Sequence, residues 1–185
     1  MRKEPLVAGA TYHVYNRGVN YNDIFYTRAN WLFFLSRLRT YCPAEMGTII
    51  AYCLMPNHYH LIIQVAAANF GLEAMQPLMV SYTKAINNQE GQSARSSGTV
   101  QARGVKSDGD LVHLSRYIHA NPVAAGFVAA PEDWEFSSYR DYVRVARAAR
   151  CPSRPPSCST SPRPRPTPNM SAARRIRARG CWRRC

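Results

Sequence analysis

The sequence predicts an α+β fold: a ferredoxin-like βαββαβ-type core with an antiparallel sheet, an extra C-terminal helix and a disordered tail. Three observations point there. Apolar patterns of period 2 and period 3.6 follow one another in the order β-α-β-β-α-(β)-α. Two strand-like stretches are separated only by Pro56-Asn57, a connection that permits an antiparallel hairpin and little else. After about Arg144 the composition changes to Arg, Pro and Ser.

Thr11 to Gly18 alternates as a strand, with Tyr12 and Val14 on one face and His13 and Tyr15 on the other. Thr27 is a plausible N-cap for the helix RANWLFFLSRLRTYC, whose Trp31, Phe34, Leu35 and Leu38 form an amphipathic stripe. Pro43 stops it. Gly47 leads into the strand Thr48–Leu54, and the third strand is His58–Val65. A second helix runs from about Gly71 to Asn88, with Leu72, Met75, Leu78, Met79, Tyr82 and Ile86 as its apolar stripe. Pro77 lies within it and predicts a late start or a kink. A short strand is expected in Thr99–Val105. Asp108 or Asp110 opens a third helix with Leu111, Leu114 and Ile118 on its buried side. Pro122 should end that helix at Asn121. A last amphipathic piece, FSSYRDYVRVA, follows Trp134.

The net charge of +13 is unevenly divided. Residues 1–143 carry 12 Lys+Arg against 11 Asp+Glu, whereas residues 144–185 carry 12 Arg and no acid. Basicity suggests nucleic acid, and here that inference belongs to the tail. Residues 144–185 cannot bury enough apolar surface to fold alone, and read either as an Arg-rich arm for phosphate backbones or as an out-of-frame product. Residues 1–143 read as one domain with a core of its own. Cys42 and Cys53 read as core thiols in a reducing compartment, and no CxxC pair suggests a zinc site. No apolar run is long enough for a membrane span, and the N-terminus lacks the apolar region of a secretory signal, so the expected location is the cytoplasm.

The chemistry centres on Met55–Val65, MPNHYHLIIQV. His58 and His60 are two residues apart on a strand, so both imidazoles leave the same face about 6 to 7 Å apart. They read either as two ligands of one metal ion or as two histidines on a half-polar face. Tyr117 and Asn121 share a helix face at i and i+4. A tyrosine phenol can attack a phosphodiester if a cation offsets the charge that develops. An asparagine amide oxygen is a hard ligand suited to Mg2+ or Mn2+. The same two residues also suit a half-buried helix tyrosine and a helix cap. His113, one turn before Tyr117, could approach the same site, while His119 points elsewhere.

MPNHYHLII, then SRYIHANPVAAGFV some sixty residues later, then PEDWEFSSYRDYV, resembles the single-tyrosine HUH transposase superfamily. Within it the branch of REP-associated tyrosine transposases fits best, the N-terminal TYHVYNRG included. The resemblance covers roughly residues 8–143. It implies a metal-dependent DNA transposase that nicks and rejoins single-stranded DNA near hairpins through a 5′-phosphotyrosine. It assigns Tyr117 as nucleophile, His58, His60 and Asn121 as ligands of a divalent metal (Mg2+ or Mn2+), and Arg17 and Arg116 as DNA contacts. The implied partners are single-stranded DNA with hairpin or palindromic repeats and, in a homodimer, a second copy of the chain.

One segment departs from the family pattern. Relatives carry an aromatic and basic strand of the FQGR(F/Y)K type before the third helix, where this chain reads SSGTVQARGVKSDGD. That departure implies a damaged sheet edge and weakened DNA contacts. It keeps open the alternative of a catalytically decayed copy acting only as a nucleic-acid-binding protein. A third reading is an unrelated metalloenzyme that uses His58 and His60 with a water nucleophile.

Overall fold

Strand β1 (Thr11–Arg17) lies inside a four-stranded sheet ordered β2-β3-β1-β4, where β2 is Gly47–Met55, β3 is His58–Val65 and β4 is Gln101–Gly104. Every neighbouring pair is antiparallel. The structure, a computed structural model, describes residues 6–90 and 100–150. The predicted α+β architecture is what it shows, and the expected hairpin is closed at Pro56-Asn57 by the facing pair Met55 and His58. The tail expected to be disordered from residue 144 is helical as far as Arg150, and its remainder, residues 151–185, lies outside the described residues.

The two faces of the sheet have different occupants. Tyr59, Leu61, Ile63 and Val65 alternate onto one face and are buried there. Helix α1 (Arg28–Tyr41) and helix α2 (Gln76–Glu90) cover it: Phe34 lies 5.0 Å from the Tyr59 ring, and the Tyr59 hydroxyl donates to Met79 Sδ at 3.2 Å. Phe25 and Phe136 stack on Trp31 at 5.3 and 4.7 Å, so the core beneath the sheet is largely aromatic. Trp31 and Trp134 both donate an indole N–H to the Leu54 carbonyl. Helix α3 (Asp108–Ala124) packs against β2, on the opposite face, where the histidines stand. Helix α4 (Tyr139–Arg150) follows.

Local signals explain the starts of the helices. Asn30 Oδ1 accepts from the backbone N–H groups of Tyr26 and Thr27, and so satisfies donors that the first turn of α1 leaves open. Ser107 Oγ accepts from Asp110 N at the start of α3.

Four expectations need adjustment. Helix α3 passes through Pro122 and ends at Ala124. Proline removes one N–H from the ladder, but Ala125 N still donates to the Asn121 carbonyl and Phe127 N to that of Pro122, so the last turn closes without it. Helix α2 starts late, at Gln76 beside Pro77, as Pro77 predicted, and the segment expected to begin it is a π-helical turn, Gly71–Met75. Its wider turn breaks the 3.6 phase and leaves Leu72 71% exposed instead of in the stripe. The sheet edge expected to be damaged pairs with β1 from Tyr12 to Tyr15 through β4. Finally, the piece FSSYRDYVRVA is not one amphipathic element. Ser137 bridges to Cys53 on the outer edge of β2, and the helix starts only at Tyr139.

Candidate active site

Cross-strand register assembles the site. Antiparallel partners share a face, so pairing of Tyr15 with His60, His13 with Ile62 and Arg17 with His58 brings β1's second face beside the two histidines. The rings of His58 and His60 lie 5.1 Å apart, and His60 is 1% exposed. His13 stacks on His60 at 5.1 Å, with His13 Nε2 and His60 Nδ1 at 2.9 Å. Tyr15 is 6.2 Å from His60.

Helix α3 brings the phenol to this face. The Tyr117 ring stands 6.1 Å from the His60 ring, edge to face, within one chain. The next residue, Ile118, is fully buried in the core and fixes the rotation of the helix. His119 anchors the helix to the edge of the sheet, its Nε2 2.9 Å from Ser138 Oγ. Ser138 is in turn joined to β2, because its N–H donates to the Tyr52 carbonyl and its Oγ accepts from Tyr52 N. His119 therefore faces away from the site. Asn121 is buried one turn beyond Tyr117. Arg116 and His113 are exposed on α3. Arg17 lies across from His58, and its guanidinium sits 4.1 Å over the Tyr21 ring.

Electrostatics hold the imidazoles neutral. Burial, with Arg17 adding to it, pushes His58 down to about 3. Burial and the neighbouring His58, His13 and Arg17 take His60 well below the ordinary histidine value. Burial and Arg103 bring His13 to about 4. Neutral imidazole is the form that ligates metals.

The tautomers can be followed as well. Asn57 Nδ2 donates to the Tyr21 carbonyl, which turns Asn57 Oδ1 toward His58 Nδ1 at 2.6 Å. Amide oxygen only accepts, so His58 carries its proton on Nδ1 and its lone pair on Nε2. His13 can play the same part behind His60, accepting at Nε2 from Nδ1–H and leaving the lone pair on Nε2 of His60. His58 and His60 thus each have an Nδ1 partner of the kind that metal-ligating histidines usually have. Among the described residues no group of three or more His, Cys, Asp or Glu is placed to hold a metal, so any third protein ligand would be of another type. Asn121 is such a residue, and its buried Nδ2 has no hydrogen-bond partner among the described residues. That atom is an N–H donor, which suits an acceptor such as a phosphate oxygen rather than a metal ion. Two neutral imidazoles on one sheet face suit a divalent ion.

His13 and Asn57 were not singled out from the sequence. His13 could have been found from the ferredoxin-like strand order, which sets β1 beside β3. Asn57 looked like a turn residue only.

No protein-family model matches the chain. The chain is 28% identical, over 124 residues, to the "Putative REP-associated tyrosine transposase" of Haemophilus influenzae, covering 60% of this chain and 70% of that protein. A solved structure described as that of a REP-associated tyrosine transposase bound to a REP hairpin superposes with a TM-score of 0.62 at 19% identity, over 78% of this chain and 86% of that one. At that identity the structural likeness speaks for the fold. The motif resemblance to REP-associated tyrosine transposases thus extends to overall sequence similarity.

Proposed function

We propose that this chain is a metal-dependent DNA transposase and single-strand endonuclease that nicks and rejoins single-stranded DNA near hairpins. The observation that carries the proposal is the placement of the Tyr117 phenol beside His60 on the sheet face that holds both histidines. Similarity to REP-associated tyrosine transposases supports the substrate class.

In this reading His58, His60 and Asn121 hold a divalent ion, Mg2+ or Mn2+. When bound, it would withdraw charge from the attacked phosphodiester. Arg17, beside His58, holds a phosphate oxygen, and the exposed Arg116 contacts the strand further out. The Tyr117 oxygen attacks phosphorus, the bond from phosphorus to the 3′ oxygen breaks, and the proton lost by the phenol ends on the released 3′-OH. The 5′-phosphotyrosine conserves the phosphodiester bond energy, so attack by a 3′-OH can reverse the step without a nucleotide cofactor. Within one chain the phenol already reaches the histidine face, so a homodimer is not needed to complete the pair.

Incubation of the full chain with hairpin DNA bearing a single-stranded extension, in Mg2+ or Mn2+, should give a covalent adduct that resists denaturation. Tyr117→Phe should abolish it. Persistence of the adduct in Tyr117→Phe would refute the assigned nucleophile.

A further inference from the structure

The loop after β1 holds a side chain that the catalytic scheme leaves unused. Tyr21 is 67% exposed, yet its backbone is tightly fixed. Its φ is +62° and that of Asn20 is +55°, a left-handed conformation that is tolerable for asparagine but unfavourable for a tyrosine. Such a conformation persists only where the surroundings over-determine it, and these cases cluster at functional sites. Here the surroundings do so. Gly18 N donates to the Asn57 carbonyl, Tyr21 N to the Gly18 carbonyl, and Asn57 Nδ2 to the Tyr21 carbonyl. Gly18 permits this closure, because a Cβ there would come within 2.0 Å of the Asn22 carbonyl oxygen.

Two contacts tie the loop to the site. The side chain of Asn57 that bonds the Tyr21 carbonyl also sets the tautomer of His58. Arg17, which faces His58 across the strands, lies under the Tyr21 ring. One face of the aromatic ring is thus backed by a cation, and the side chain remains largely open to solvent at the His58 end of the site. An exposed, rigid aromatic backed by arginine is a stacking platform for an unpaired base, since every base offers a π face.

We infer that Tyr21 stacks on an unpaired nucleobase next to the phosphate to be cut, and so positions the single strand over His58. This rests on the single-strand DNA reading above and adds a positioning residue to it. The test uses the full chain in EDTA, so that no strand is cut. Two probes are a hairpin with a T-rich single-stranded extension containing 2-aminopurine and the same hairpin without the extension. Tyr21→Asn keeps a residue that accepts the left-handed backbone and removes the ring, while Tyr21→Trp keeps a stacking surface. Tyr21→Asn should weaken binding of the extended hairpin by roughly 5- to 150-fold, the range of one lost base stack. It should also abolish 2-aminopurine quenching at one position and leave the blunt hairpin unaffected. Tyr21→Trp should retain both affinity and quenching. Unchanged binding and quenching in Tyr21→Asn, or an equal loss on both probes, would overturn the inference. If the wild-type chain binds neither probe, the parent reading fails and this inference with it.

Discussion

His60 owes its orientation to a residue on the neighbouring strand, 47 positions away in sequence. His13 stacks on it and meets its Nδ1, which favours the lone pair on Nε2, the nitrogen a metal would take. Loss of such a supporting partner typically costs 10- to 100-fold in metal affinity. His13→Ala should therefore weaken Mn2+ binding to the chain by about that factor in calorimetric titration, with the sheet intact by circular dichroism. Unchanged Mn2+ affinity would show that His13 is packing only. Strand and helix periodicities put His58 with His60, and Tyr117 with Asn121, on single faces, but it was the motif resemblance that joined the two pairs into one site. His13 and Asn57 were not legible from sequence, because their roles depend on strand register and on which amide end meets His58.

Elements were legible where periodicity and a stop signal agreed. Strand β3 has the predicted bounds, and α1 begins after Thr27 and ends before Pro43 as the pattern required. Element bounds were illegible where a neighbour decided. Strand β4 was expected within Thr99–Val105 despite weak apolar content, and its pairing with β1 fixes its bounds at Gln101–Gly104. Pro122 is carried inside α3 because the helix is docked on both sides of it, by buried Ile118 and His119 before and by a closed last turn after. That docking makes a pH prediction. Burial lowers His119 to about 4 in the fold, against about 6.5 in an unfolded chain. Between those values the unfolded chain binds the proton and the folded chain does not, so stability is present above pH 6.5 and lost as pH falls toward 4. His13 acts over the same window, and His58 extends it toward 3. Denaturant midpoints should fall steadily from pH 7 to pH 4, and His119→Asn should make that slope shallower. A slope identical to wild type would mean that His119 titrates normally in the fold.

At the scale of the whole chain, chemistry and charge are separated. The site lies in the nearly neutral residues 1–143, while the Arg excess lies after them. Helix α4 runs across that change of composition to Arg150. If the arginines beyond it contact phosphates, each neutralised phosphate adds to the salt dependence of binding. Truncation after Arg150 should flatten the slope of log affinity against log salt and leave Tyr117-dependent adduct formation in place at low salt. Loss of all DNA binding on truncation, in a full chain that forms no adduct, would favour the decayed-copy alternative, in which the tail alone makes the contact.

The central claim is that Tyr117 becomes covalently joined to the 5′ phosphate of a cut strand. Proteolysis of the protein after reaction with a hairpin oligonucleotide in Mn2+, followed by tandem mass spectrometry, tests it most directly. The account predicts a phosphonucleotide mass on the peptide that contains Tyr117, and on that side chain. A phosphonucleotide on another residue, or cleaved DNA with no modified peptide, would contradict it.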